Sequence, residues 1–501
     1  MNKLKKSAVS ISLLLGALLM SESVSPQWAT ASPATPLPDR FRREALYAQQ
    51  RIAISISQPG QAKGSVMASP SKDEPNYYFH WIRDAALTMN GVFELQKNSS
   101  GAEHNRWISY LMDYIHFSRQ NQLTPNRSGS PADLGLGEPK FHLNGTAFDE
   151  SWGRPQNDGP ALRSMVLIRL AHQLLNSGNS TDAETVKRLL YTAQIPAQTV
   201  IKADLEYVSH HWRDASYDLW EEVQGRHFYT LMMQQRALHE GAILARRLGD
   251  PEAASWYQQQ SQAIRQVIPG FWSVSKNYIV ATQNSSWSDQ AKPSGLDIAV
   301  ILASLHASPH DQSSGDLFMS VSDDRVIATA GALRQAFDSL YSVNRVQNGH
   351  QGERLAPGLG RYPEDIYDGV TNHGQGNPWF LSTQAMAEFH YKLAAQIRNA
   401  RAVTLSPTKM AYFGRVSGLT SLRDGFRSGQ ILKSTDAGFA KLVSALNDEG
   451  DAYMNRALYH AESNGAQAEE FNRSSGFSQG AVHLTWSYVS YLSALQARSG
   501  Q

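Results

Sequence analysis

The period of its apolar residues limits this chain more than any other feature. Twelve stretches carry them at helical spacing: 41–57, 84–96, 107–120, 160–177, 182–207, 229–248, 251–267, 296–305, 325–340, 378–394, 435–461 and 480–497. Strand-like alternation is rare and short. Two of the helix starts are marked, by Asn157-Asp158-Gly159-Pro160 and by Asp250-Pro251, where a capping side chain precedes a proline. The connections are long and rich in Gly, Pro and aromatic residues, which excludes a coiled coil and a short-looped bundle. Long loops on a helical scaffold are where a site is built. No Ser/Thr-rich linker or low-complexity tract divides 40–497, and the weakly periodic 403–429 reads as an excursion, so one all-α domain is expected.

Charge and composition narrow the partners. Lys and Arg total 46 against 45 Asp and Glu, so the net charge of +1 offers no field for a polyanion, and no nucleic acid partner is expected. Residues 1–31 read as an export signal. Lys3, Lys5 and Lys6 precede an apolar run over 8–20, too short to span a bilayer, and Ala29-Thr30-Ala31 fits a small-x-small cleavage site. No later run approaches 18 apolar residues. The mature chain, 32–501, is therefore expected to be secreted, or periplasmic in a Gram-negative host, free of the membrane and monomeric. With no cysteine, it does not rely on disulfides even in an oxidising compartment.

The densest chemistry lies in Tyr217-Asp218-Leu219-Trp220-Glu221-Glu222-Val223. If helical, the segment puts Asp218 one turn from Glu221 and Glu222 on a shared face. Like charges that close raise one another's pKa, and a carboxyl held against Trp220 resists ionising, which suits a proton donor. An acidic helix start explains the same residues without chemistry. Four other loops repeat the mixture of Arg, carboxylate and aromatic: 69–84, ending in Trp81-Ile82-Arg83-Asp84; 151–160, with Trp152; 361–367 followed by 377–380; and 468–473 followed by 481–488. Arg only donates and Asp only accepts, so Arg83 and Asp84 make a fork for vicinal hydroxyls. Each loop alone is explicable as a cap or packed turn. Five in one chain point to a carbohydrate cleft.

Competing chemistries lack their signatures. The 16 His show no metal-ligand spacing, and neither a Gly-rich Lys-Ser/Thr loop nor a Gly-x-Ser-x-Gly elbow occurs. No metal or cofactor is expected, and carboxylates remain the catalytic candidates.

The segments GSVMASPSKDEPNYYFHWIRDAAL, SWGRPQNDGPALR, YDLWEEV, RYPEDIY with GNPWFLST, and AVHLTWSY resemble, in this order, the signature segments of glucoamylases, family 15 of the glycoside hydrolases. The resemblance spans about 40 to 497. It implies an (α/α)6 barrel, six inner and six outer helices with the cleft at one end, and inverting release of glucose from the non-reducing ends of α-1,4-glucans, with slower action on α-1,6 links. It assigns Glu221 as general acid and Glu469 as general base. It places Tyr77, Trp81, Arg83, Asp84, Trp220, Arg361, Tyr367 and Trp486 around the terminal glucose. Trp152, Glu222, Asp365 and Trp379 match positions serving the next sugar or supporting the acid, and Asp218 matches the acid's carboxylate neighbour. His483 stands where the fungal pattern has Asp. Glu469-Glu470-Phe471 replaces Glu-Gln-aromatic, which leaves Glu470 a second candidate for the base. The loop over 368–376 is longer than in the short fungal form, and no starch-binding module is expected after 497.

An acetal is cleaved when its departing oxygen is protonated and water is deprotonated on the opposite face, so the two carboxyls must hold different pKa values in one cleft. Relatives cleaving trehalose or dextran share the frame. A two-lobed oligosaccharide-binding protein would show alternating strands and helices, and a uronate lyase more cationic residues.

Overall fold

The computed structural model describes residues 37–284, 292–308, 316–419 and 426–500; the export signal expected over 1–31 lies outside the described residues. These residues contain fourteen α-helices: α1 Asp39–Ser55, α2 Ile82–Lys97, α3 Gly101–Leu123, α4 Asp158–Asn176, α5 Ser180–Thr185, α6 Val200–His211, α7 Phe228–Arg247, α8 Pro251–Val267, α9 Ala299–His306, α10 Asp324–Leu340, α11 Phe380–Ala400, α12 Pro407–Phe413, α13 Ala437–His460 and α14 Thr485–Ser499. Local chemistry fixes several starts. Asp250 accepts the N–H of Ala253 with Pro251 in the first turn, Asp323 that of Arg325, and Ser406 that of Lys409.

Packing sorts the helices into two rings. Going round, α2 packs on α4, α4 on α7, α7 on α9, α9 on α11, α11 on α14, and α14 closes on α2. Outside them α1 lies against α14, α3 against α2, α6 against α4, α8 against α7, α10 against α9 and α13 against α11. Burial follows position: 15 of the 19 residues of inner α4 are buried, but only 8 of the 23 of outer α3, which therefore carries one apolar stripe. Where α13 meets α11, a Cβ on Gly450 would come 2.4 Å from the Tyr391 ring, so the helices approach only because that side chain is missing. This is the (α/α)6 barrel.

The sequence reading erred in one place here. The helix expected over 182–207 is broken: α5 continues into a π-helical turn over Val186–Leu190, and α6 starts only at Val200. Pro196 explains the gap, because a proline inside a helix has no N–H to donate and clashes with the preceding turn. The excursion at 403–429 contains α12 and begins beside an antiparallel pair, Ala402–Thr404 with Ile431–Lys433; 420–425 lie outside the described residues.

Because outer and inner helices alternate along the chain, every link from an outer helix end to an inner helix start falls at one end of the barrel. Among the described residues these links are 56–81, 124–157, 212–227, 268–284 with 292–298, 341–379 and 461–484. Short antiparallel pairs tie them down, with Trp81 opposite Lys140, Tyr217 opposite Gln224 and Glu470 opposite Gln479. Six inner-helix N-termini, the positive ends of their dipoles, converge beneath these links. Among the described residues no helix is long and apolar enough to cross a membrane.

Candidate active site

At that end lies a cavity of about 470 Å³, lined by Tyr77, Trp81, Arg83, Asp84, Trp220, Glu221, Arg361, Trp379, Glu469 and Trp486, with Ala68, Leu219 and Leu484. Two carboxyls dominate it. Glu221 is gripped by nitrogen donors: Trp81 Nε1 donates to Oε1 at 2.7 Å, Gln156 Nε2 to Oε1 at 2.9 Å and Trp152 Nε1 to Oε2 at 2.7 Å, with Arg83 Nη2 3.4 Å away. The segment carrying it is a reverse turn and not the helix its spacing suggests. Asp218 N–H donates to Val223 O, and Glu221 takes φ +68°. Asp218 therefore does not stack beneath Glu221. The indoles touching the acid are Trp81 and Trp152, whereas Trp220 donates its N–H to Asp297 at 3.0 Å.

Glu469 has a different retinue. Tyr77 Oη donates to Oε1 at 2.9 Å, Tyr367 Oη to Oε2 at 3.0 Å and the Ala481 N–H to Oε2 at 3.2 Å. Burial pushes its pKa up to about 7, against the hydrogen bonds that favour the anion. The backbone comes unusually close: at Gly480, φ +76°, a Cβ would lie 2.4 Å from Oε2. Glu470 turns the other way, accepting from Asn377 Nδ2 at 2.8 Å, and its other oxygen is buried without a partner. Burial, then the charge of Glu469, raise its pKa well above the ordinary carboxylate range. His483 is engaged by the Tyr488 hydroxyl at 2.7 Å and contacts neither carboxyl.

Around this pair stand the polar groups of the floor. Arg83 donates to Gln156 at 3.0 Å and to Asp158 at 3.3 Å and lies 3.5 Å from Asp84. Against its burial, Asp158, Asp84 and Glu221 hold Arg83 charged. Burial carries Asp84 up to about 6 against the pull of Arg83, and its Oδ2 has no hydrogen-bond partner in the protein. Arg83 Nε, 3.5 Å from that oxygen, is likewise without a partner, so an unspent donor and an unspent acceptor lie side by side. Arg361 is locked to Asp365 by two bonds of 2.7 and 2.6 Å and donates to Glu222 at 2.7 Å. Its guanidinium lies 5.4 Å from the Trp220 ring centroid and 5.3 Å from that of Trp379.

The sequence-predicted residues divide accordingly. Trp152 forms the rim, 39% exposed. Asp218, Glu222, Asp365 and Tyr367 stand behind the residues that line the cavity and hold other site groups. Four groups placed against the site escaped the sequence reading. Lys140 has its Nζ 3.2 Å from the Trp152 ring centroid and 4.4 Å from that of Trp81, and burial drops it to about 8. Asp297, Lys292 and Tyr362 also face the site's back, and only Tyr362 lay inside a segment already singled out. No group of three or more metal-ligating side chains exists among the described residues. A second cavity, about 670 Å³, opens between the inner helices α2, α9, α11 and α14 and shares only Trp486 with the first. Two of its acids are paired, Glu94 with Arg169 and Glu388 with Lys392.

One carboxyl held by N–H donors and a second held by hydroxyls face a common aromatic-walled space, an arrangement suited to acid–base work on a sugar acetal. On this barrel they define a glycoside hydrolase. Within that class the chain belongs to glycosyl hydrolases family 15, whose profile matches residues 42–496. It is 38% identical over 446 residues to a glucoamylase of Blastobotrys adeninivorans, covering 89% of this chain and 68% of the relative. With glucoamylase 1 of Rhizopus oryzae it shares 35% identity over the same shares of the two chains. The glucoamylase from Saccharomycopsis fibuligera, solved at atomic resolution, superposes with a TM-score of 0.81 at 30% identity, covering 91% of this chain and 94% of that one.

Proposed function

We propose that this protein is an exo-acting, inverting α-glucan hydrolase, a glucoamylase, that releases β-glucose from the non-reducing ends of starch and maltooligosaccharides. The observation that carries the reading is the division of labour at the two carboxyls. Glu221 is the general acid: its proton goes to the glycosidic oxygen as the bond to the anomeric carbon breaks, and the indole and amide N–H groups then stabilise the carboxylate left behind. Glu469 is the general base: it takes a proton from water attacking the opposite face, and the tyrosine hydroxyls orient it. Asp84 and Arg83 hold hydroxyls of the terminal sugar, and Asp84, once ionised, favours the positive charge that builds on the ring. Trp220, Trp379 and Trp486 supply apolar faces for the sugar, and Glu222 with Trp152 serves the leaving side.

The chain so described is proposed to work as an exported monomer, on the strength of its leader-like first 31 residues and of a site built by one chain. The test is product stereochemistry. Incubated with maltose, soluble starch, trehalose and dextran, the enzyme is expected to give glucose from the first two. Proton NMR should show the β-anomer first, as direct attack by water requires. An initial burst of α-glucose would remove the water-activating role of Glu469.

A further inference from the structure

The turn that carries Glu221 is held by groups that take no part in proton transfer, and they converge on Lys292. Asp218 Oδ1 accepts the N–H groups of Glu222 at 2.8 Å and Val223 at 3.0 Å, closing the turn in which Glu221 adopts its left-handed backbone. Such a backbone is disfavoured for any residue with a side chain and persists only where its surroundings enforce it. The other oxygen of Asp218 accepts from Lys292 Nζ at 2.8 Å. The same ammonium donates to Asp297 Oδ2 at 3.2 Å. Asp297 in turn receives the Trp220 indole N–H at 3.0 Å and the Ala299 N–H at 2.8 Å, at the start of α9. Glu222 Oε2 lies 3.7 Å from the ammonium, and the Tyr362 ring centroid 4.0 Å. His227, buried beneath Asp218 with its Nε2 on the Ser216 carbonyl, completes the titratable surroundings.

We propose that Lys292 is a positioning residue of this active site: its charge clamps the 218–222 turn to the start of α9, fixing the donor carboxyl of Glu221 and holding Glu222 in place beside it. The proposal rests on the hydrolase reading above. Its physical basis is that buried carboxylates sharing a space need a cation. Without one they take up protons or move apart, and either change loosens the turn. In keeping with this, Lys292 holds Asp218 down to about 2 against the effect of burial.

The experiment measures kcat and KM on maltose across pH for Lys292→Met and Lys292→Arg, with thermal melts to establish folding. Lys292→Met should lose about 10- to 100-fold in kcat with KM changed less than about threefold, the signature of a misplaced donor. Removing a positive charge beside the donor turn should also move the alkaline limb of kcat/KM up by about half a pH unit. Lys292→Arg should restore the limb and part of kcat. A folded Lys292→Met enzyme with an unmoved limb, or with kcat within threefold of wild type, overturns the proposal. If Lys292→Met does not fold, Asp297→Asn decides: it leaves Lys292 less neutralised and should move the limb down, and an unmoved limb overturns the idea. Wild-type protein that releases no glucose would remove the functional reading itself, whereas an active wild type with unresponsive variants removes only the role of Lys292.

Discussion

Glu469 and Glu470, neighbours in sequence, point to opposite sides of the extended segment that carries them. The first takes hydroxyls from Tyr77 and Tyr367 in the cavity, and the second takes the Asn377 amide behind it. Alternation along an extended backbone makes this inevitable, and so only one of the two can be the base. Glu469→Gln should lose at least about 10²-fold in kcat. Glu470→Gln replaces a buried carboxyl on the far side from the cavity with its isostere and should keep kcat within a fewfold. A dead Glu470→Gln with an active Glu469→Gln would reverse the assignment.

The next pair of adjacent carboxyls separates acid from support. Glu221→Gln should remove on the order of 10²-fold or more of turnover on maltose. Glu222, already bonded to Arg361 at 2.7 Å and to Tyr362 at 2.7 Å, should act mainly through binding. Glu222→Gln is expected to raise KM more than it lowers kcat, and steady-state kinetics on maltose and maltotriose will tell.

The hydroxyls at Glu469 predict a pH effect. Hydrogen bonds donated to a carboxylate favour its charged form, so Tyr77→Phe or Tyr367→Phe should raise the pKa of the base further above its ordinary value. The acidic limb of kcat/KM should move up by roughly half to one unit in either variant. A limb that moves down, or stays, would mean that these tyrosines do not tune the base.

Stability should carry a separate pH signature from Glu44, which burial raises to about 8 against its hydrogen bond from Gln467. Because the folded pKa lies above the unfolded one, its contribution is fully present below about pH 4.5. It is lost as pH rises toward 8, at about 1.4 kcal/mol per unit. Glu44→Gln should therefore melt higher than wild type near pH 8 and gain little near pH 4. Melting curves at the two pH values check the sign.

Much of this was legible beforehand, for identifiable reasons. Helix period reports which face of a segment is buried, and that carried all six inner helices. It cannot see a break imposed by one residue, so Pro196 divided a segment whose apolar spacing continued through it. Local spacing also misjudged 217–223, because a turn closed by Asp218 and a left-handed Glu221 leaves no periodic trace. The cavity-lining aromatics and carboxyls were found since they sit in dense, chemically mixed loops. Lys140, Lys292 and Asp297 were missed because each lies alone in its stretch, and only the fold brings them to the surroundings of the turn that carries Glu221.

The ring described above is closed by its last helix. Thr485 N–H donates to the Ala68 carbonyl at 2.8 Å, and the Thr485 hydroxyl to the Met67 carbonyl at 2.7 Å, across 418 positions of chain. A ribosome must therefore deliver the chain through α14 before the cavity floor exists, since Trp486 arrives with that helix. Until then the first helices synthesised have no partner for one flank, and their apolar surface must be shielded while they wait. Catalytic competence thus arises late and all at once, so the enzyme cannot act on glucan while it is still being made.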